Sequence, residues 1–292
     1  MKPIKTPTVL SIPGGSINKI ISQLQHDGYD VNRLDSLLLR FIGTPQKGWI
    51  EMHREKNTKA DFLYKLTTAK AALQNVTLIP GETSYIFFDQ LAQKLNLNRS
   101  LLAQEFENQS RQKEGVFVAD TYKIPLGITE KDLIALLLKV SKKRHKELSQ
   151  KFFATYNEDK WFGYISIASI IQKESANKEE MQLVSSVIYN RVKKGMPLQM
   201  DGTLNYGKYS HVRVTPKRIR EDESSYNTYK YKGIPKNPIC NVGIDAIKAA
   251  VFPAKSSYLY FVKNKNGTHT FSCNYSTHIK NIRLLQKETN LK

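Results

Sequence analysis

The sequence predicts an α+β chain in which small N-terminal β-α-α modules precede a mainly helical domain carrying a small β-sheet. Three observations carry that prediction. Two segments resemble each other, "VLSIPGGSINKIISQLQHDGYDVNRLDSLL" from Val9 and "VTLIPGETSYIFFDQLAQKLNLNRSLLAQEF" from Val76. Apolar residues recur at helical spacing through residues 163–194. Near the C-terminus, "SYLYFVKNKNGTHTFS" reads as a hairpin around Asn266-Gly267.

Each repeated segment offers a short strand pattern, an Ile-Pro-Gly turn, a Ser or Thr suited to capping, and an apolar helical period, Ile20 and Leu24 in one and Phe87 and Leu91 in the other. Two copies are too few for a solenoid and suit small modules beside a larger domain. "LIALLLKVSKKRHKELSQKFFATY" then reads as one long helix whose basic cluster, Lys142, Lys143, Arg144 and Lys146, is a solvated face. A helix over about residues 163–175 is followed by another over about 178–194, with Met181, Val184, Val187, Ile188 and Val192 on its apolar face and Gly195 as a left-handed cap. "GMPLQMDGTLNYG" is a loop or short hairpin, "GIDAIKAAVF" a short helix stopped by Pro253, and "STHIKNIRLLQKE" a closing helix. The expected division is residues 1–75, 76–140 and 141–292.

Composition narrows the function. Lys and Arg number 45 against 26 Asp and Glu, a formal +19 that favours polyanionic company: nucleic acid, anionic lipid or an acidic cell-wall polymer. Cys240 and Cys273 have neither CxxC nor metal-ligand spacing, so two free thiols and no metal site are expected. The longest wholly apolar run, "LIALLL" at residues 133–138, is far short of the about 20 residues that cross a bilayer. No signal peptide is visible at Met1, and a soluble chain is expected.

Glu174 is the carboxylate that stands out. In "SIASIIQKESANKEE" it falls in register with Ile167, Ile170 and Ile171. The ordinary reading is a helix that ends in water, or an ion-pair partner. The functional reading is a carboxyl desolvated by isoleucines, whose raised pKa suits a general acid for glycosidic cleavage. "LQMDGTLNYG" adds Gln199, Asp201 and Thr203, and "SSYNTYKYKGIP" adds Tyr226, Asn227, Thr228 and Tyr229. Aromatic faces beside amides and hydroxyls suit sugars, and they equally suit turn chemistry. His269 and His278 are read as structural histidines, and neither a phosphate loop nor a Ser-His-Asp arrangement is recognisable.

The run "ASIIQKESANKEEMQLVSSVIYNRVKKGMPLQMDGTLNYG", with "YNTY", "KGIP", "FPAKSSYLYFV" and "GTHTFS", resembles the catalytic domain of the endolytic murein transglycosylases, the MltG or YceG-like family. "EGVFVADTY" resembles the family's Glu-Gly and Asp-Thr-Tyr element, and the Val76 segment its LysM-like module. The resemblance implies a lysozyme-like catalytic fold, with Glu174 as the catalytic residue and Gln199, Asp201, Thr203, Tyr226, Asn227, Thr228 and Tyr229 along the substrate cleft. Gln172 replaces the first acid of the family's Glu-Lys-Glu block, leaving one carboxylate there. Other departures are Phe252 for histidine, Val242 for proline, and Val118-Ala119 for Phe-Pro.

The implied reaction is cleavage of the MurNAc-β-1,4-GlcNAc bond within nascent glycan strands, leaving 1,6-anhydro ends and helping to terminate elongation, with no metal or cofactor. Peptidoglycan strands and peptidoglycan synthases are the implied partners, with no nucleic acid. The implied place is the periplasmic side of the inner (cytoplasmic) membrane, reached through a single-pass N-terminal helix absent from this chain. Two rivals stand: a lysozyme-type hydrolase using Glu174 and Asp201, and a non-catalytic basic protein binding cell wall or nucleic acid.

Overall fold

In the computed structural model, which describes residues 3–53 and 55–290, the chain divides into two compact units. The first comprises residues 1–76 and 123–129, the second residues 77–122 and 130–292.

The first unit begins with β1 (Ile4–Lys5) and β2 (Val9–Ile12), followed by α1 (Ile17–His26) and α2 (Arg33–Ile42). Next come β3 (Gly48–Glu51), β4 (Lys56–Asn57), α3 (Lys59–Thr68) and β5 (Leu73–Thr77), the last reaching the division. β2 pairs antiparallel with β3, placing Leu10 opposite Ile50, and β1 pairs antiparallel with β4. Ser16 caps α1, and Asn32 and Asp35 form a capping box on α2. The apolar stripes meet in one core: Ile12, Ile20, Leu24, Leu39, Ile50, Phe62 and Leu66 are all buried. Trp49, on β3, stays partly exposed at 39%.

The second unit opens with α4 (Ser84–Leu95) and α5 (Arg99–Gln109); β6 (Thr121–Pro125) follows and forms a two-stranded sheet with β5. Each repeated segment is therefore β-α-α-β: the closing strands β3 and β6 are additions to the β-α-α pattern the sequence predicts. Both are short, and one face of each is polar or half-exposed, so they leave little periodic signal.

α6 (Glu130–Phe153) runs unbroken through residue 140, where the sequence reading sets a module boundary. It leads to α7 (Glu158–Glu174) and α8 (Met181–Lys193). Two 3₁₀ turns follow (Asp201–Leu204 and Gly207–Tyr209) where a loop or hairpin is expected, and then α9 (Pro216–Glu221) and α10 (Ile244–Val251). The hairpin β7 (Tyr260–Lys263) and β8 (His269–Ser272) pairs antiparallel, and α11 (Tyr275–Asn290) packs on it. α7 is the central element, packed against α8 and α10 with Trp161, Ile165, Ala168 and Ile171 buried. Gly195 takes φ +64° after α8, as the left-handed cap requires. Among the described residues no helix is long and apolar enough to cross a membrane. Both cysteines are free, Cys240 buried and Cys273 exposed.

Candidate active site

α7 ends on Glu174 because its apolar face runs out there: Ile167, Ile170 and Ile171 are buried one turn back, and Ser175 takes an extended conformation. The carboxyl is half-buried, and its Oε1 accepts a 2.6 Å hydrogen bond from the Gly202 N–H. Burial pushes the acid up to about 7; the Gly202 N–H opposes that, the Asp201 charge adds to it, and Arg191 pulls it down. Such a group gives and takes a proton near neutrality.

Gly202 is there for want of space. A Cβ at this position would lie 2.7 Å from Lys173 Cβ and 2.8 Å from Glu174 Oε1, so only glycine lets the loop backbone reach the acid. Lys173 ties the other end of the loop down, donating from Nζ to Ser210 Oγ at 2.9 Å.

Glu174 opens into a pocket of about 360 Å³ with Gln199, Asp201, Tyr229, Tyr260, Tyr275 and His278 among its walls. Asp201 accepts a 2.7 Å hydrogen bond from the Tyr229 hydroxyl, so the carboxylate is oriented and the phenol held protonated. Tyr260 stacks on His278 at 5.1 Å between ring centroids. Arg191, buried below, donates to the carbonyls of Leu259 at 2.6 Å and Leu198 at 2.6 Å, joining α8 to both sides of the pocket floor. Gln199 enters the loop at φ +49°, a left-handed conformation rare for a residue with a side chain.

The sequence-predicted residues therefore separate into three groups. Gln199, Asp201 and Tyr229 line the pocket with Glu174. Thr203, Asn227 and Thr228 are buried behind it and frame the loop. Thr228 accepts from the Met200 N–H through Oγ1 at 3.1 Å and from the Gln199 N–H through its carbonyl at 3.1 Å. Thr203 Oγ1 donates to the Met200 carbonyl at 2.7 Å, and Asn227 Nδ2 donates to the carbonyls of Ile219 and Asp222 at 2.8 Å each. Tyr226 makes up the third by itself: it stacks on Tyr206, 4.7 Å between centroids, outside the pocket lining.

Sequence reasoning passed over Gly202, Arg191, Tyr260 and Tyr275. A glycine directly after Asp201 in a polar loop was the available signal for the first; the other three meet Glu174 only through tertiary packing. His269 is structural, with Nδ1 2.9 Å from Glu180 Oε2. A larger groove of about 660 Å³ lies against α4 and α5 and contains a buried acid, Glu114, also pushed up to about 7 by burial. Its oxygens accept from Ser84 N, Ser84 Oγ and Gly115 N, which commits it to capping α4.

A Bacillus subtilis protein named endolytic murein transglycosylase is 39% identical over 116 residues, 40% of this chain and 32% of that protein. A Streptococcus pneumoniae protein of the same name is 30% identical over 179 residues, 58% of this chain and 31% of its own length. These matches span about a third of each curated relative. The crystal structure of a yceG-like protein from Listeria monocytogenes superposes with a TM-score of 0.59 at 24% identity, covering 94% of this chain and 99% of that one, a likeness of fold. The model of the YceG-like family matches residues 10–284, and the chain belongs to that family.

Proposed function

We propose that the protein is a peptidoglycan lytic transglycosylase that cleaves the MurNAc-β-1,4-GlcNAc bond within a nascent glycan strand, with Glu174 as its single general acid and base. The observation that carries the reading is a half-buried carboxyl raised to about 7 at the floor of an aromatic-walled pocket. Protonated Glu174 gives its proton to the leaving glycosidic oxygen. As carboxylate it takes the proton of the muramoyl C6 hydroxyl, whose oxygen closes on C1 to form the 1,6-anhydro ring. One acid suffices because the substrate supplies the nucleophile, whereas ordinary glycosidases need two carboxylates. Gln199, Asp201 and Tyr229 hold the sugars; Thr203, Asn227 and Thr228 position the loop that carries them.

The β-α-α-β order of β5, α4, α5 and β6 supports reading residues 76–140 as a LysM-like module, between an N-terminal module (1–75) and a catalytic segment (141–292). In the same reading the protein works beside peptidoglycan synthases on the periplasmic face of the cytoplasmic membrane, tethered by an N-terminal single-pass helix, and ends strand elongation.

Mass spectrometry of digested peptidoglycan tests the reaction. Anhydromuramoyl ends are expected, and reducing ends carrying water would replace this reading with the hydrolase that uses Asp201. Glu174→Gln should lower turnover about 1,000-fold while binding persists; undiminished cleavage by that variant would remove Glu174 from the mechanism.

A further inference from the structure

The pocket wall does not stop at Tyr275. A second, shallow groove of about 530 Å³ begins at the same ring and runs along the outer face of α11 past Ile279, Lys280, Arg283, Leu284 and Lys287. The three cations stand at three- and four-residue spacing, so they form one stripe, and all are exposed. No salt bridge among the described residues engages any of them, and residues 275–287 contain no Asp or Glu. The strands beneath, β7 and β8, contain none either. The result is a positive strip, with Glu288 the first acid after it in the sequence, that is broken by the half-exposed Leu284 and adjoins the Glu174 pocket at Tyr275.

We propose that this strip of α11 binds the acidic stem peptide of the strand whose sugars occupy the Glu174 pocket, an inference that rests on the proposed function. Continuity fixes the occupant: a polymer seated in the pocket presents its nearest branch where Tyr275 leads onto α11. The reach matches. From Tyr275 to Lys287 the helix rises about 18 Å, and a peptide of about five extended residues spans about 17 Å. The chemistry matches as well, since stem carboxylates meet Lys280, Arg283 and Lys287 while small apolar side chains lie against Ile279 and Leu284. Surface charges of this kind act on substrate capture and are screened by salt.

The test compares intact glycan strands with strands stripped of peptide by an amidase, using the full chain and the variant Lys280→Ala/Arg283→Ala/Lys287→Ala. On intact strands the variant should show a KM about tenfold higher with kcat unchanged, and on stripped strands it should match the parent. Equal behaviour on intact strands, or an equal loss on both, overturns the proposal. If the parent cleaves neither substrate, the proposed function fails by itself. The strip is then judged by titrating a synthetic stem pentapeptide: weaker, less salt-sensitive binding by the variant upholds it, and equal binding by both overturns it. Loss of binding to phosphatidylglycerol vesicles, with peptide binding intact, would overturn it in favour of a lipid surface.

Discussion

Glu174 carries opposing influences on one proton, and their signs make it testable. Its raised value near 7 means the acid form prevails below neutrality, so kcat/KM should fall as pH rises through about 7. Asp201→Asn removes a charge that pushes the value up, and the alkaline limb should move to lower pH in a pH–rate profile. The same shift bears on stability. The folded value lies above the ordinary 4.5, so ionising the group costs the fold; its contribution is complete below about 4.5 and is lost as pH rises through about 7. Glu174→Gln should therefore leave thermal stability near pH 4 almost unchanged and raise Tm at pH 8 by about 2–4 °C, measured by calorimetry.

At the scale of elements, the site is made by the end of one helix meeting a loop held from behind. Gly202→Ala should push the loop off Lys173 and Glu174, lower kcat about 100-fold and, by removing the Gly202 hydrogen bond, shift the alkaline limb upward. A variant with parental kcat would mean the loop tolerates the displacement. The helices were legible in the sequence because their apolar residues keep helical spacing: the register of Ile167, Ile170 and Ile171 already put Glu174 on the buried face. The loop was not. Its 3₁₀ turns rest on Thr203 and Thr228, whose hydroxyls lie 3.1 Å apart across 25 residues of chain, and no local pattern encodes such a pairing. The resemblance lines the substrate cleft with Thr203, Asn227 and Thr228, whose side chains in the structure hydrogen-bond to the backbone and, for the two threonines, to each other. Aromatic and amide side chains in a row are ambiguous until burial is known.

Across the whole molecule, the chain passes from the first compact unit into the second at residue 77, returns to the first for residues 123–129 and then re-enters the second. Within the second unit, residues 77–122 and the helices after residue 130 share one buried asparagine. Asn241 donates to the Glu82 carbonyl at 3.1 Å and accepts from the Phe117 N–H at 3.0 Å through its side chain, while its backbone carbonyl accepts from Gly81 N at 2.9 Å. Asn241→Ala leaves the Phe117 N–H without its buried partner, while the Glu82 carbonyl keeps the residue-241 backbone N–H at 2.9 Å, and should cost about 1–2 kcal/mol in denaturant unfolding. A loss below about 0.5 kcal/mol would show that other contacts carry the junction.

The sequence contains two tryptophans, and the fold assigns one to each unit: Trp49 on β3 and Trp161 at the start of α7. Trp49 is partly in water, whereas the Trp161 indole is buried and donates to His145 Nδ1 at 3.0 Å. Their emission is therefore a natural two-channel optical report. The tryptophan emission of a Trp49→Phe protein comes only from the unit that contains Glu174, that of its complement only from the other, and the melting of each can be watched separately without attaching a dye.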